Sequence, residues 1–320
     1  MHKGFFVKSI VTVMFRLVSF VFPVMASSQE IEVQGHRGSR SLRPENTIPS
    51  FSAALEAGAD VIEFDVLVTA DDELIIHHDF FVNKELCTYL DGTSVSGDAL
   101  IRGLTLSEIK QIDGGAKINP DFPLQVLSPG TQIPTLQEFF EFIQNSSHPN
   151  AKKVRLNLEI KRDPRFPEWT MSPKELAEKI VNQVKRSGLE DRIYYSSFDP
   201  EVLAAIRKAD SKACLGFIFS SHSLDVARIL HPKAEMDFLI KIASHLKAEV
   251  LSPDHTLLRS KEDVKTFQKK GFRVVPWTVN DPKRWSELID MGVDGIISDD
   301  PQGLVQFLKE STCSIAHQNA

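Results

Sequence analysis

Two short runs of the sequence place acidic side chains where buried β-strands are expected. In the run Val61–Val66, the two-residue period of a strand puts Glu63 and Asp65 on one face and the apolar residues on the other. The run 156–161 has the same alternation and brings Glu159 to an equivalent face. Ionisable groups in a helix-covered sheet are costly unless they are paired or bind an ion. Three converging carboxylates therefore predict a site for one hard divalent cation, Ca²⁺ or Mg²⁺.

The same carboxylates have an alternative role that needs no metal. Asn157 and Lys161 share a face with Glu159, and Arg37 follows the first predicted strand. If Glu63 or Glu159 only pairs with Lys161 or Arg37 inside the fold, the carboxylates serve structure rather than chemistry. The sequence leaves both interpretations open.

Two histidines stand at the ends of predicted strands. His36 follows the first strand, and His78 ends the run that begins at Leu74. Cleavage of a phosphodiester needs one group that takes a proton from the attacking oxygen and another that gives a proton to the leaving oxygen. Histidine titrates in the right range for both tasks. Arg37, beside His36, is suited to hold two phosphate oxygens.

The adjacent residue His77 is distinguished from His78 by its position along the strand. His78 lies an even number of residues from Leu74 and Ile76, whereas His77 points to the opposite side. We therefore predict that His78 is catalytic and that His77 lies at the surface. Asp79 either orients one of these rings or caps the next turn, and the sequence does not decide between the two.

The chain that positions these residues alternates short β-branched runs with helix-length amphipathic stretches, a pattern typical of repeated βαβ units. Only residues 69–73 separate the second run from the third, which is too short for a parallel crossover, so the third run must fold back as a hairpin. The other eight strands predict a closed parallel β/α barrel. The nine runs are Ile31–Gly35, Val61–Val68, Leu74–His78, Val154–Ile160, Ile193–Ser196, Cys214–Phe219, Glu249–Ser252, Arg273–Thr278 and Gly295–Ser298.

Residues from about 79 to 134 are predicted to form an insertion over one face of the barrel. Turn-forming clusters surround one short predicted helix there, Thr105–Ile112. The helices predicted for the barrel itself are Ser50–Ala57, Thr135–Gln144, Pro173–Ser187, Pro200–Lys208, Lys261–Lys270 and Lys283–Met291.

Residues 1–26 have the pattern of a secretory signal peptide. Basic residues precede the apolar run Leu17–Met25, and small residues follow it, with a predicted cut ahead of Ser27. The mature domain would then comprise residues 27–320 and act in the periplasm or the medium, with no stable membrane insertion. An uncleaved anchor is the alternative, although Arg16 ends the apolar stretch well short of a membrane span.

Charge and cysteine content narrow the classes of partner. A formal net charge of −6 disfavours nucleic acid but allows a small anion bound locally. Cys87, Cys214 and Cys313 are too few for a disulfide framework, so one bridge is allowed and none is required. The sequence does not predict the oligomeric state.

Several motifs, in their order and spacing, resemble the glycerophosphodiester phosphodiesterase family. The resemblance spans nearly all of the mature chain and rests on HRG at 36–38, PENT at 44–47, EFDV at 63–66, HD at 78–79, LEIK at 158–161, WTVN at 277–280 and GIISD at 295–299. It implies a TIM-type barrel with a small insertion after the His-Asp segment. It also implies hydrolysis of glycerophosphodiesters to sn-glycerol 3-phosphate and an alcohol such as choline, ethanolamine or glycerol.

The resemblance also implies a role for each candidate site residue. Metal binding would fall to Glu63, Asp65 and Glu159, and acid and base duties to His36 and His78. Contact with substrate would fall to Arg37, Lys161, Trp277 and Glu45, with the first two on phosphate and the tryptophan lining the glycerol pocket. Packing within the barrel is an equally good explanation for a tryptophan at this position.

Other readings of the same residues remain. A related barrel enzyme that acts on lysophospholipid or sphingomyelin would need an exposed apolar rim. Phe80, Phe81 and Val82 could supply part of such a rim. A non-catalytic phosphodiester-binding barrel would be expected to lack one of the histidines or carboxylates, and all are present. Either water or the substrate's own glycerol hydroxyl is a possible nucleophile, the second giving a cyclic phosphate.

Two positions depart from the family pattern. Asp72 stands where glycine usually follows Asp71, and the segment after Asp79 lacks an arginine often found there. The first departure affects a turn, and the second leaves the preference for the alcohol open.

Overall fold

The computed structural model describes residues 30–223, 225 and 236–318, so the predicted signal segment 1–26 lies outside the described residues. Eight of the described strands form the barrel, namely β1 Glu32–Gly35, β2 Val61–Val68, β6 Arg155–Ile160, β7 Ile193–Ser197, β8 Cys214–Phe219, β9 Val250–Pro253, β10 Arg273–Val274 and β11 Gly295–Ser298. The hairpin and the insertion contain β3 Leu74–Ile76, β4 Thr88–Tyr89 and β5 Ile112–Asp113. Their spatial order is β10-β9-β8-β7-β6-β2-β1-β11, and all neighbours on this path are parallel.

The two end strands of this path close on each other through backbone hydrogen bonds. The Asp294 amide donates to the Val274 carbonyl at 2.9 Å, and the Val279 amide donates to the Ile297 carbonyl at 2.9 Å. Pro276 has no amide hydrogen, which explains why the regular strand ends at Val274 rather than at Thr278 as predicted. The predicted barrel is confirmed.

Helices cover the outside of the barrel, and several begin as the sequence predicts. Asp199 and Asp281 cap helices whose first residue is proline, and each cap accepts a hydrogen bond from the backbone two residues further on. Within the described residues the α-helices are α1 Ile48–Ala57, α2 Leu106–Ile109, α3 Leu136–Asn145, α4 Pro173–Ser187, α5 Pro200–Ala209, α6 Met236–Leu246, α7 Lys261–Gln268, α8 Pro282–Met291 and α9 Pro301–Gln318. None of these described helices is long and apolar enough to cross a membrane.

The hairpin and the insertion follow β2. Strand β3, Leu74–Ile76, pairs antiparallel with β2, and the short strands β4 (Thr88–Tyr89) and β5 (Ile112–Asp113) pair with each other. Apolar side chains of this segment form a second small core that packs on the outer side of the hairpin, including Leu67, Ile75, Val82, Cys87, Val95, Ile101, Ile109, Ile112 and Ile133. The predicted hairpin and insertion are confirmed, although the helix there is shorter than predicted.

The two faces of β2 have different partners. Its outward face packs against aromatic rings, since the Phe139 ring centroid lies 4.4 Å from that of Phe51 and 4.5 Å from that of Phe64. Its inward face carries the carboxylates. Tight packing outside the strand therefore fixes where Glu63 and Asp65 point inside the barrel.

Polar side chains fill the barrel beneath those carboxylates. The Tyr194 hydroxyl donates to Gln34 Oε1 at 2.8 Å, and Asn157 Nδ2 donates to the same oxygen at 3.1 Å. The Ser196 hydroxyl donates to Asn157 Oδ1 at 2.7 Å. Asn157 faces inward as predicted, and its contacts are with the barrel's own side chains.

The two cysteines with described side chains, Cys87 and Cys214, are free thiols. Burial raises the pKa of Cys87 to about 12 and that of Cys214 to about 11, which makes both poor nucleophiles.

Candidate active site

Three carboxylates meet where the middle of β2 pairs with the carboxyl end of β6. Asp65 and Glu159 are direct partners in the parallel ladder, and Glu63 lies two residues earlier on the same face. One carboxylate oxygen from each lies within 4.8 Å of the other two. All three side chains are buried, with residue exposures of 2% for Glu63, 1% for Asp65 and 8% for Glu159.

The environment of these carboxylates fits a cation. Burial, with the neighbouring carboxylates of Asp65 and Glu159, raises the pKa of Glu63 well above its usual value. Within the described residues, Glu63 Oε1 and Asp65 Oδ1 are buried and have no hydrogen-bond partner. Buried carboxylate oxygens without partners are costly, and a hard cation would satisfy them.

Two basic side chains flank the cluster. Lys161 Nζ donates to Glu159 Oε1 at 2.8 Å and lies 3.5 Å from Asp65 Oδ1. Arg37 Nε lies 3.6 Å from Asp65 Oδ2. Burial alone would raise the pKa of Asp65, but electrostatic interactions with Lys161, His78 and Arg37 outweigh it and lower that pKa. The ion pairs of the metal-free alternative are therefore present, yet they leave Glu63 Oε1 without a partner and approach Asp65 Oδ1 only to 3.5 Å, without a hydrogen bond.

A sharp turn brings His36 and Arg37 to the cluster. Arg37 has φ +51°, an uncommon left-handed conformation, and its amide donates to Glu63 Oε2 at 2.7 Å. Gly38 has φ +88°, and a Cβ there would lie 2.5 Å from the Ser50 hydroxyl. Only glycine fits at this step, which gives the HRG motif a structural reason.

His36 is held by an acidic partner on the neighbouring strand end. Its Nδ1 lies 2.7 Å from Asp299 Oδ1, while Asn280 Nδ2 donates to Asp299 Oδ2 at 2.7 Å. Burial alone would raise the pKa of Asp299, but the hydrogen bond and charge of His36 lower it to about 2. The ionised carboxylate only accepts, so Nδ1 carries the proton and Nε2, 4.0 Å from Glu63 Oε2, is the free nitrogen.

Burial, followed by the charge of Arg37, lowers the pKa of His36. The ring is therefore neutral at neutral pH and is suited to take a proton. Sequence reasoning did not assign Asp299 and Asn280 to this site. The closure of the barrel brings Asp299 to the site, because Gly35 on β1 is the ladder partner of Ser298 on β11. His36 and Asp299 directly follow these two residues.

His78 has an acidic partner of the same kind. Its Nδ1 lies 2.6 Å from Asp79 Oδ1, and Asn83 Nδ2 donates to Asp79 Oδ2 at 2.9 Å. Asp79 therefore orients the His78 ring, which resolves the choice left open by the sequence. The His78 side chain is 30% exposed, and it is near enough to Asp65 and Glu45 to contribute to the lowered pKa of each carboxyl.

The prediction that His77 lies at the surface was wrong. The side chain is half-buried, and its Nε2 lies 3.3 Å from the Phe81 carbonyl oxygen. Burial lowers its pKa. The insertion begins directly after this residue and covers the side of β3 that parity alone assigns to solvent.

The remaining predicted substrate residues occupy two places. Glu45 Oε1 accepts from Arg37 at 2.6 Å and Glu45 Oε2 accepts from Arg40 at 2.5 Å, so Glu45 braces the Arg37 guanidinium. Trp277 is half-buried, donates through Nε1 to the Ser252 carbonyl at 2.8 Å, and packs edge-on against Phe198 at 5.4 Å. Packing therefore accounts for part of the role of Trp277.

The structure shows the surroundings of the two positions that depart from the family pattern. Asp72 has φ +66°, which explains a glycine preference at this turn, and its carboxylate accepts from Arg102 at 2.7 Å. Phe80 and Phe81 pack against Trp169, at 5.3 and 5.2 Å between ring centroids. Val82 is buried in the insertion core and does not belong to an exposed rim.

Comparisons with known proteins assign the chain to a family. The sequence model of the Glycerophosphoryl diester phosphodiesterase family matches residues 36–303. A glycerophosphodiester phosphodiesterase of Caldanaerobacter subterraneus is 30% identical over 278 residues, which cover 87% of this chain and 98% of the relative.

Solved structures share the fold. A glycerophosphodiester phosphodiesterase from Parabacteroides distasonis is 25% identical with a TM-score of 0.65, covering 89% of this chain and 99% of that chain. An Oleispira antarctica phosphodiesterase, solved in complex with the product sn-glycerol-3-phosphate, has a TM-score of 0.69 at 24% identity, covering 87% of this chain and 96% of that chain. With its barrel, its paired histidines and its carboxylate cluster, this chain belongs to the glycerophosphoryl diester phosphodiesterase family and is an enzyme of that class.

Proposed function

We propose that the enzyme is a metal-dependent hydrolase of glycerophosphodiesters that releases sn-glycerol 3-phosphate and an alcohol such as choline, ethanolamine or glycerol. The observation that carries this proposal is the buried triad Glu63, Asp65 and Glu159, whose unpartnered oxygens lie beside two histidines that each have a carboxylate partner. The Oleispira antarctica structure with sn-glycerol-3-phosphate supports the assignment of this product.

The proposed roles follow from where the charges lie. Glu63, Asp65 and Glu159 would hold one Ca²⁺ or Mg²⁺, which polarises a phosphoryl oxygen when bound. Lys161 and Arg37 contact the phosphate oxygens, with Glu45 bracing Arg37. His36 and His78 divide the two proton transfers between them, each held in one tautomer by its acidic partner.

Chelation tests the metal dependence directly. Purified protein dialysed against a chelator is expected to lose more than about 100-fold in kcat/KM for glycerophosphocholine, because several kcal/mol of charge stabilisation is removed. Adding back Ca²⁺ or Mg²⁺ should restore turnover and identifies the preferred ion. Full activity of thoroughly dialysed, metal-free protein would contradict the proposal.

We also propose that the enzyme acts outside the cytoplasm, on the support of the signal pattern in residues 1–26. The full-length chain expressed in an exporting bacterial host is expected in the periplasm or medium, with an intact mass that starts at Ser27. A Val21→Arg variant, which puts a charge into the apolar run, should stay uncleaved inside the cell. Uncleaved wild-type chain in the membrane fraction would instead indicate an anchor.

A further inference from the structure

Arg40 lies between two acidic side chains of the candidate active site. It belongs to the loop after β1, shortly after His36 in the chain, and its side chain is 18% exposed. Its Nε donates to Glu45 Oε2 at 2.5 Å, and its Nη1 lies 3.7 Å from Asp299 Oδ1. One guanidinium is therefore within ion-pair distance of both carboxylates.

Each of these two carboxylates holds a different part of the site. Glu45 Oε1 accepts from Arg37 Nη1 at 2.6 Å, and Asp299 Oδ1 lies 2.7 Å from His36 Nδ1. In the proposed reaction Arg37 contacts the phosphate, whereas His36 transfers a proton. Arg40 therefore joins these two groups into one network of polar contacts, in which a change at one member alters the placement of the others.

The insertion holds the backbone of the loop that carries Arg40. Gln125 is 5% exposed, and its Nε2 donates to the carbonyl oxygens of Arg40 at 2.7 Å and of Arg43 at 2.9 Å. The Val126 amide donates to the Leu42 carbonyl at 2.9 Å. Both amide hydrogens of a buried glutamine are thus used on this one loop, which ties its conformation to that of the insertion.

The same segment of the insertion also contacts the Arg40 side chain. The Cζ atom of Arg40 lies 5.2 Å from the centroid of the Phe122 ring, a distance at which a cation and an aromatic face attract each other. The Gln125 amide donates to the Phe122 carbonyl at 3.0 Å, so the ring and the glutamine belong to one turn. The insertion therefore fixes both the backbone and the guanidinium of Arg40.

We propose that Arg40 is a positioning residue of the reaction and that the insertion serves the active site by holding it in place. The inference rests on the proposed phosphodiesterase function of the same site. Arg40 acts on Arg37 through Glu45. It acts on His36 through Asp299. Loss of its guanidinium therefore affects phosphate binding and proton transfer together, without any contact between Arg40 and the substrate.

Arg40→Met in the metal-loaded enzyme tests this inference, because it removes the charge and keeps most of the side-chain length. We expect KM for glycerophosphocholine to rise about fivefold to tenfold and kcat to fall by a similar factor, since both Arg37 and His36 lose their fixed placement. The dissociation constant of sn-glycerol 3-phosphate, measured by calorimetry, should rise with KM. Partial misfolding would lower the apparent kcat alone. A variant with unchanged KM and unchanged product affinity would overturn the inference.

The matched control is Arg102→Met. Arg102 is also a half-buried arginine with a carboxylate partner, but it donates to Asp72 in the hairpin turn. We expect this control to keep kcat and KM within about threefold of the wild type. Equal changes in the two variants would contradict a specific role of Arg40. No turnover by the wild type would remove the proposed function itself, whereas turnover that Arg40→Met leaves unaltered removes only this inference.

Phe122→Leu tests the part played by the insertion and leaves every charge in place. We expect it to raise KM about twofold to fivefold in the wild type, the usual size of a cation–aromatic contact. Added to Arg40→Met, the same change should have no further effect, because the ring acts through the guanidinium. Equal increases in both backgrounds would show that the ring acts independently of Arg40. If Arg40→Met fails to fold, an unchanged KM in Phe122→Leu overturns the inference by itself.

Discussion

Replacement of His36 by asparagine is expected to lower kcat for glycerophosphocholine by about 10²- to 10⁴-fold, the usual contribution of a general acid or base. Asparagine can keep the hydrogen bond to Asp299, so the turn at Arg37 and Gly38 should be preserved. What it cannot supply is the ring nitrogen that lies 4.0 Å from Glu63 Oε2. The loss should therefore appear in kcat, with a much smaller change in KM.

The matched control for this variant is His77→Asn. His77 is also a half-buried histidine at a strand end, but its Nε2 contacts the Phe81 carbonyl rather than an acidic partner. We expect His77→Asn to keep kcat within about threefold of the wild type and to lower stability modestly, since one weak hydrogen bond is lost. Equal losses of kcat in the two variants would show that the effect at His36 is structural.

Much of this site follows from strand periodicity alone. The alternation around Glu63 and Asp65 predicts the inward face of β2, and the matching alternation predicts that of Glu159, which the ladder pairs with Asp65. The barrel follows from strand count, because subtracting one hairpin leaves eight parallel strands. These features depend on the local alternation of polar and apolar residues, which can be recognised in the sequence.

Features that depend on distant contacts escaped prediction. Asp299 is 263 residues from His36 in the chain, and the two meet only because the barrel closes between β1 and β11. His77 is covered by the insertion, whose packing cannot be derived from the parity of β3.

Replacement of Glu63 by glutamine is expected to stabilise the protein without metal and to leave it less stable than the wild type with metal. In the metal-free protein, Glu63 is buried beside the carboxylates of Asp65 and Glu159, and burial together with those charges raises its pKa. A carboxyl whose folded pKa is raised destabilises the fold increasingly as the pH rises from its unfolded pKa to its folded pKa, because its charged form is unfavourable in the fold. Glu63→Gln removes that charge, while its amide oxygen still accepts from the Arg37 amide.

The variant should therefore unfold about 3–6 °C above the wild type in chelator at pH 8, and the gap should shrink as the pH falls toward 5. With saturating Ca²⁺ or Mg²⁺ the wild type should become the more stable protein, because only its folded state binds the ion well. Turnover of glycerophosphocholine should fall more than about 100-fold in the variant. Thermal unfolding in both buffers, with a parallel assay of turnover, measures all three effects.

Glu32→Gln provides the contrast that makes this test specific. Glu32 is also a buried glutamate in a barrel strand, but its carboxylate is paired with Arg155 and, at 2.7 Å, with Arg273. Removing a paired charge leaves its partners uncompensated, so Glu32→Gln should lower the unfolding temperature equally with and without metal. A destabilised Glu63→Gln protein in chelator would mean that the three carboxylates are already compensated by Lys161 and Arg37. The cluster would then be an ion-pair network of the barrel rather than a metal site.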